Sequence, residues 1–344
     1  MNQNKKNLLG LSLPEIEQFI ASIDEKRFRA GQIYSWLYLH NASSFAEMTN
    51  LSKSLRQKLN NLAAVKTLSP VRVAESKLSE TKKFLFELPD HHYIETVFMA
   101  DNSRTTVCIS SQVGCAMGCR FCATASLGLR RNLETWEIIE QVLAIRRYTN
   151  TNITNVVIMG MGEPFDNYDN VMKACMLLNA KDGLGISKGR IVISTSGIVP
   201  EIFRMADEYP QFKLAISLNA PSNEKRNQIM PINRRWQLAE LLNAARYYTN
   251  KSRHRVTFEY VLMEGFNDTA DDAELLKKLL KGLPCKINLI PYNEADREGK
   301  RPQKDSVERF YSYFKNYDAT VSIRWSKGTD IQAACGQLAA EAEK

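Results

Sequence analysis

The spacing of hydrophobic positions divides the chain into a helical N-terminal segment, a short β-rich segment and a long alternating region. Between residues 13 and 62, apolar residues recur at helical spacing in three stretches, 13–20, 26–39 and 51–62. Residues 82–88 and 93–99 instead have the character of β-strands, separated by a turn that begins at Pro89. The pattern predicts a helical domain over 1–65 and a β-hairpin extension over 66–100.

From residue 101 onward, short apolar strands alternate with helices. Strands are predicted at 105–110, 155–160, 190–194, 212–218, 255–262 and 286–291, and helices at 134–148, 168–179, 200–207, 236–249 and 269–281. A further helix leads to a seventh strand at 320–325. Six repeats of this kind predict a parallel sheet curled into a complete or partial barrel. The barrel would occupy residues 101–338, followed by a tail at 339–344.

Composition adds limits on compartment and partners. Hydrophobic residues make up 44% of the 344 residues and charged residues 24%, as in ordinary globular proteins. The chain has neither a long apolar run nor an N-terminal signal segment, so we expect a cytoplasmic protein without a membrane partner. The net charge of +8 favours a polyanionic partner. Seven cysteines, an odd and clustered set, argue against a secreted disulfide framework.

Three of these cysteines lie within eight residues. They are Cys115, Cys119 and Cys122, in the segment Val113-Gly-Cys-Ala-Met-Gly-Cys-Arg-Phe-Cys, and no fourth cysteine is near them in sequence. A structural zinc site takes four protein ligands and a ferredoxin cluster takes four thiolates. A C-x3-C-x2-C triad therefore indicates a 4Fe-4S cluster with one iron open to a cosubstrate. A zinc site completed by a distant histidine is the alternative.

Other informative segments follow the predicted strands. Four strands end in Gly160-Met-Gly-Glu-Pro, Ser194-Thr-Ser-Gly, Ser217-Leu-Asn-Ala and Pro291-Tyr-Asn. Since strand ends of a barrel converge on one site, these segments are expected to meet, with Glu163 as an acceptor for an ammonium group. Near the end of the chain, Gly336 gives Cys335 an accessible backbone, and a buried free thiol is the alternative. From the residues alone, core positions are predicted for Cys108, Cys175 and Cys285.

Together these motifs resemble those of the RlmN and Cfr family, radical S-adenosylmethionine (SAM) enzymes that methylate adenine carbons in RNA. The resemblance runs from about residue 10 to residue 338 and also includes Met230-Pro-Ile-Asn, Lys286-Ile-Asn-Leu-Ile-Pro and Ala334-Cys-Gly-Gln-Leu. Pro164 and the segment from Pro284 favour the carbon-2 methylating RlmN branch over the carbon-8 methylating Cfr branch. The resemblance implies an α/β fold, a radical SAM partial (β/α)6 barrel, with one 4Fe-4S cluster on Cys115, Cys119 and Cys122 and SAM at the open iron.

The resemblance also implies a reaction that consumes two SAM molecules. Carbon 2 of adenine is electron-poor and cannot attack the methyl group of SAM as a nucleophile. Instead, Cys335 would take a methyl group, a 5′-deoxyadenosyl radical would remove hydrogen from it, and the resulting carbon radical would add to the base. Cys108 would then form a disulfide with Cys335 as the product leaves, and Glu95 would accept the proton. By motif, the SAM contacts are Gly162, Glu163, Ser194, Ser217, Leu218, Asn219 and Asn293.

The implied partners are large-subunit (23S) rRNA, tRNA as a second substrate, and an electron donor such as flavodoxin, with the enzyme as a monomer. The N-terminal helices would add RNA-binding surface. Two other functions stay open: carbon-8 methylation, and a non-catalytic RNA-binding protein with a structural cluster or zinc. The chain departs from the family pattern at Asn219, where histidine is usual, at Gln332, where aspartate is usual, and at Trp325-Ser-Lys. None of the departures falls on a cluster cysteine, Cys108 or Cys335, so activity is expected to survive them, while the position of the base or the choice of carbon can change.

Overall fold

The N-terminal segment is helical, as its periodicity predicts. The computed structural model describes residues 5–294 and 299–340. This segment comprises β1 (Lys6–Asn7), α1 (Leu13–Ser22), α2 (Phe28–Tyr38), α3 (Lys53–Leu62) and β2 (Ala63–Ala64). Parallel pairing of β1 with β2 joins its two ends. Apolar side chains of this segment belong to the same buried cluster as the barrel core, so the helices pack directly on the barrel.

The extension has three strands rather than the predicted hairpin. They are β3 (Pro70–Glu75), β4 (Thr81–Glu87) and β5 (Tyr93–Asp101), all antiparallel. The β5 strand also pairs with β6 (Arg104–Cys108), so the extension continues the main sheet. The sequence pattern missed β3 because an edge strand with mostly exposed or half-buried positions carries little hydrophobic alternation.

After β6, the chain alternates strands and helices as predicted. The elements are β7 (Gln112–Gly114), β8 (Leu129–Asn132), α4 (Thr135–Thr149), β9 (Asn155–Ile158), α5 (Tyr168–Asn179), β10 (Ile191–Thr195), α6 (Val199–Glu208), β11 (Lys213–Ser217), α7 (Asn223–Ile229), α8 (Leu238–Ser252), β12 (Val256–Leu262), α9 (Ala270–Leu279), β13 (Cys285–Pro291), α10 (Lys304–Ser312) and β14 (Thr320–Ile323). The pattern missed α7, a helix of seven residues, because it is too short to show a period. In the part of the chain that the structure describes, no helix is long and apolar enough to cross a membrane.

One ten-stranded sheet, in the order β14-β13-β12-β11-β10-β9-β6-β5-β4-β3, contains both the barrel and the extension. Within this sheet, the seven strands β6, β9, β10, β11, β12, β13 and β14 pair in parallel with their neighbours in that series. Within residues 5–294 and 299–340, β14 and β3 are unpaired edges, so the barrel is partial, as predicted. Residues 341–344 of the predicted tail lie outside the described residues.

Apolar side chains fill most positions of β10, β11 and β12, the central parallel strands. Ile193 and Ile216 are fully buried, because helices cover the outer face of the sheet. Polar side chains enter the same strands at Ser194, Ser217 and Glu259. This change from apolar to polar marks the edge of the sheet where a site can form.

Candidate active site

A cavity opens at the carboxyl ends of the parallel strands, and we call it the barrel cavity. It brings together ten of the thirteen predicted site residues: Cys115, Cys119, Cys122, Gly162, Glu163, Ser194, Ser217, Asn219, Asn293 and Cys335. The predicted residues that do not line it are Cys108, Leu218 and Glu95. The strand ends therefore converge on one space, as barrel geometry requires.

The cysteine triad lies on a loop closed by the antiparallel pair β7 and β8. A side chain at Gly114, which has a φ of +72°, would meet the Gly128 carbonyl oxygen at 1.7 Å, so the closure requires glycine. Burial raises the pKa of Cys115 to about 12 and that of Cys119 well above its ordinary value. The Cys119 thiol also lies within electrostatic range of Cys122 and Cys115. The loop therefore gathers three thiols in a poorly solvated place.

This donor set fits a 4Fe-4S cluster. Thiolates of such a cluster bind separate irons, so their sulfur atoms need not surround a single point. Among the residues of known placement, no three His, Cys, Asp or Glu side chains converge as ligands of one metal ion would. Thiolates in a buried site need bound cations to stabilise them, and irons meet that need. Cys115, Cys119 and Cys122 would hold the cluster.

A buried arginine that the motifs did not identify lies beside the triad. The Arg226 side chain is fully buried on α7, and burial lowers its pKa to about 10, an effect that Cys119 opposes. Its nitrogens donate to the carbonyls of Leu218, Ser196 and Ser217 at 3.1, 2.6 and 3.1 Å and to Oδ1 of Asn233 at 3.0 Å. Arg226 therefore ties the ends of β10 and β11 to α7.

Glu163 is buried in the barrel cavity and held by backbone groups. Its carboxylate accepts hydrogen bonds from the N–H of Ser196 at 2.7 Å and of Phe165 at 3.1 Å. Burial raises the pKa of Glu163. A side chain at Gly162, with a φ of +99°, would lie 2.6 Å from Cβ of Gln112. The glycine thus permits close approach to Gln112, and the N–H of Glu163 donates to Oε1 of that side chain at 2.8 Å.

The remaining predicted SAM contacts differ in how they are held. Asn219 has a φ of +58°, which asparagine tolerates well, and its Oδ1 accepts from the Val261 N–H at 2.9 Å. Leu218 is fully buried and does not line the barrel cavity. Nδ2 of Asn293 donates to the Cys335 carbonyl at 3.1 Å. Asn293 therefore fixes the backbone of the predicted methyl acceptor.

A second cavity lies beside the first, and we call it the side cavity. Cys108 and Trp325 line it, and Cys335 lines both cavities. Both cysteines are free thiols, and burial raises the pKa of Cys108 to about 12. The Cys335 charge adds to that rise, so the two thiols lie within electrostatic range of each other. Cys335 thus lies between the cysteine triad and Cys108.

Two charged residues at this end of the cavity were missed by sequence reasoning. Arg324 lines both cavities, and the neighbouring Cys335 thiol raises its pKa. Glu259 lines the barrel cavity; its Oε1 accepts from Nδ2 of Asn288 at 3.0 Å, while Oε2 is buried without a hydrogen-bond partner. Burial raises the pKa of Glu259, and Arg324 opposes that rise. Their signal was available, since each is a charge within or beside a strand predicted as apolar.

Glu95 lies on β5, outside the lining of both cavities. Its Oε2 accepts from the N–H groups of Ala339 and Ala340 at 2.9 and 3.1 Å, and its Oε1 pairs with Lys83 at 2.9 Å. The carboxylate therefore anchors the segment that follows Cys335. Its role as proton acceptor stays a prediction.

Comparisons with known proteins agree with this geometry. The model for "Ribosomal RNA large subunit methyltransferase N-terminal domain" matches residues 6–65, and the model for the "Radical SAM superfamily" matches residues 109–279. A "Dual-specificity RNA methyltransferase RlmN" of Pelobacter propionicus is 47% identical over 97% of this chain and 96% of its own length. A "Probable dual-specificity RNA methyltransferase RlmN" of Clostridioides difficile is 44% identical over 98% of both chains.

A solved structure is also similar to the whole fold. It is a radical SAM methyltransferase from Sphaerobacter thermophilus, 44% identical, with a TM-score of 0.93 over 98% of this chain and 100% of that one. The predicted radical SAM fold is thereby confirmed.

Proposed function

The chain belongs to the RlmN family of dual-specificity radical SAM RNA methyltransferases, and we propose that it methylates carbon 2 of an adenine in 23S rRNA and in tRNA. The observation that carries this proposal is the position of Cys335, which lines the cavity of the cysteine triad and also the cavity of Cys108. When bound, the cluster supplies the electron that cleaves SAM to a 5′-deoxyadenosyl radical. The protein's own residues perform the rest of the relay.

In the first stage, Cys335 accepts a methyl group from one SAM. Its thiolate forms the new sulfur–carbon bond as the sulfonium–methyl bond of SAM breaks, and S-adenosylhomocysteine leaves. The Arg324 guanidinium stabilises the thiolate, and the bond from Asn293 holds the Cys335 backbone during the displacement. The methyl group then sits on a sulfur that lines the barrel cavity.

In the second stage, loss of hydrogen from that methyl group gives a carbon radical on Cys335, which adds to carbon 2 of the base. The enzyme and the RNA are then joined covalently, and a second SAM has been consumed. The adduct radical then loses the proton of carbon 2, which Glu95 is proposed to accept, and one electron, which would pass back to the bound cluster. Cys108 attacks the sulfur of Cys335, so that a sulfur–sulfur bond forms as the sulfur–carbon bond to the base breaks. Protonation of that carbon gives the methylated product.

Mass analysis of the intact protein tests this relay. We expect one methyl increment on Cys335 in protein incubated with SAM, and its loss in Cys335→Ala together with RNA methylation. Cys108→Ala should accumulate the covalent enzyme–RNA adduct, because the attacking thiol is missing. Cys175→Ala, which removes a thiol from the core, is the matched control. RNA methylation by Cys335→Ala would refute the relay, and a product containing only 8-methyladenosine would refute the choice of carbon.

The N-terminal helices are proposed to bind RNA. Phe28 is 56% exposed, and the guanidinium of Arg29 lies 4.6 Å from the centre of its ring. Lys26 and Arg27 are exposed beside it. An exposed aromatic ring among cations can stack on an unpaired base while the cations contact phosphate. Binding of rRNA and tRNA fragments by Phe28→Ala tests this surface.

We propose a monomer that receives electrons from a flavodoxin-like donor in the cytoplasm, where reducing conditions preserve free thiols. Light scattering of the purified protein and reduction of the cluster by flavodoxin test the first two points.

A further inference from the structure

Arg226 is a buried cation that donates its hydrogen bonds to neutral groups only. Within the described part of the chain, no neighbouring anion therefore balances its positive charge. Its four hydrogen bonds go to three carbonyl oxygens and one side-chain amide oxygen. No carboxylate of the described residues lies within 4.0 Å of it. A guanidinium taken from water into the interior is costly unless an opposite charge compensates it. The fold therefore implies that a negative charge belongs near this side chain.

The helix that carries Arg226 packs against the cysteine loop. The N–H of Arg120 donates to the Ile229 carbonyl at 3.0 Å, so the loop and the end of α7 are joined through their backbones. Cys119 packs against an apolar cluster that contains Ile229 and Met230. Of the ionisable groups that act on the Arg226 charge, the structure identifies the Cys119 thiol. The missing negative charge therefore belongs on the side of the triad.

We propose that Arg226 is a positioning residue for the cluster, whose fixed positive charge stabilises the reduced form. The inference rests on the proposed function, in which Cys115, Cys119 and Cys122 bind the cluster as thiolates. One electron from a low-potential donor, dithionite in vitro, adds one negative charge to the cluster. A nearby cation of low solvent exposure favours that state and raises the midpoint potential.

The Arg226 side chain also holds the end of β11 through hydrogen bonds. Its bonds to the carbonyls of Ser217 and Leu218 attach it to the segment that carries predicted SAM contacts. Loss of the charge and loss of the hydrogen bonds must therefore be separated by experiment. Asn233 permits this, because its Oδ1 accepts from Nη1 of Arg226 and has nearly the shape of an aspartate oxygen.

The experiment is a potentiometric titration of the reconstituted cluster, followed by electron paramagnetic resonance. In Arg226→Gln we expect the ratio of oxidised to reduced cluster at a fixed potential to rise at least tenfold. For a one-electron couple, this is a midpoint potential lower by at least about 59 mV. Arg226→Lys keeps the charge and should show less than half of this shift. Asn233→Asp neutralises the guanidinium without removing it, so it should also lower the midpoint.

Two controls separate charge from structure. Asn233→Ala keeps the arginine and removes one of its four hydrogen bonds, together with the bonds from Nδ2 of Asn233 to Asn223 and Asn227, which Asn233→Asp also loses. Arg204→Gln removes an arginine of the surface ion pairs. Both should keep the wild-type midpoint. A wild-type midpoint in both Arg226→Gln and Asn233→Asp, or equal shifts in the Lys and Gln variants, would overturn the inference. If Arg226→Gln does not fold, Asn233→Asp decides alone. A wild-type protein without a cluster on the triad, or without SAM cleavage on reduction, would instead defeat the proposed function.

Discussion

Two arginines lie beside the cysteines of the site and differ in their charged surroundings: Arg226, outside the cavity lining, lies near Cys119 of the triad, and Arg324, in the lining, lies near Cys335. We call these surroundings the triad end and the thiol end of the site. At the triad end, Arg226 is fully buried among neutral acceptors, and burial lowers its pKa to about 10. At the thiol end, Arg324 lies within electrostatic range of Cys335, Glu259 and Cys108, and their negative charges raise its pKa. A cation without a neighbouring carboxylate suits a bound anionic group. A cation shared among acids suits a thiol whose charge changes during turnover.

The largest expected effect is loss of the cluster, which should follow substitution of a triad cysteine but not substitution of Cys335. Cys119→Ala should lose the cluster and, with it, SAM cleavage and RNA methylation, because two thiolates cannot hold a site built for three. Cys335→Ala should keep its iron and lose only the methyl increment and the RNA product. Iron content per chain and product analysis check this pair. Iron lost equally from both variants would show that the ends are not independent.

The next effect concerns the two arginines. Arg324→Gln should slow methyl transfer to Cys335 about 10- to 100-fold, or ~1.4–2.8 kcal/mol, because the thiolate loses its stabilising charge. Its cluster midpoint should stay at the wild-type value. Single-turnover mass analysis with S-adenosylmethionine measures the rate, and Arg324→Lys should recover part of it.

Arg226→Gln supplies the converse comparison. It should shift the midpoint and leave the rate of Cys335 alkylation by iodoacetamide unchanged in the protein without a cluster. A change of midpoint in Arg324→Gln, or of alkylation rate in Arg226→Gln, would erase the distinction between the ends.

The smallest effect comes from Glu259, whose ionised form competes with Cys335 for Arg324. Glu259→Gln should speed Cys335 alkylation about two- to fivefold at pH 8, since one opposing negative charge is gone. Burial raises the pKa of Glu259, so at low pH the wild-type residue is protonated and resembles glutamine. The alkylation rates of the wild type and Glu259→Gln should therefore diverge as the pH rises through the raised pKa of Glu259. Equal alkylation rates at every pH would show that Glu259 does not affect the Cys335 thiol.

Glu259→Gln should also raise the free energy of unfolding at high pH. Because the folded protein holds the Glu259 proton more tightly than the unfolded chain, this group destabilises the fold as the pH rises above its unfolded pKa. Glu259→Gln should be more stable by about 1–3 kcal/mol near pH 8, with the difference vanishing near pH 4. Urea denaturation at both pH values measures it.

The sequence revealed one end of the site far better than the other. Cys115, Cys119 and Cys122 form a local motif, so their common role could be predicted without a fold. Glu259 has no such motif: it joins the site because β12 pairs in register with β11 and β13, opposite Ser217 and Asn288. Arg226 is similar, since its partners come from two strand ends. A charge inside a predicted strand marks Glu259 as unusual, but the partners of Glu259 and Arg226 can be identified only when the sheet is assembled.

The attachment of the Cys335 segment to the cysteine loop has a consequence for folding kinetics. The Ala123 N–H donates to the Gly336 carbonyl at 2.7 Å, and Oγ1 of Thr124 donates to the Leu338 carbonyl, a contact spanning 214 residues of sequence. Contacts between such distant segments form late, because the intervening strands must pair first. During synthesis the loop therefore emerges long before Cys335, and the bonds between the two segments can form only after the last strand has been made.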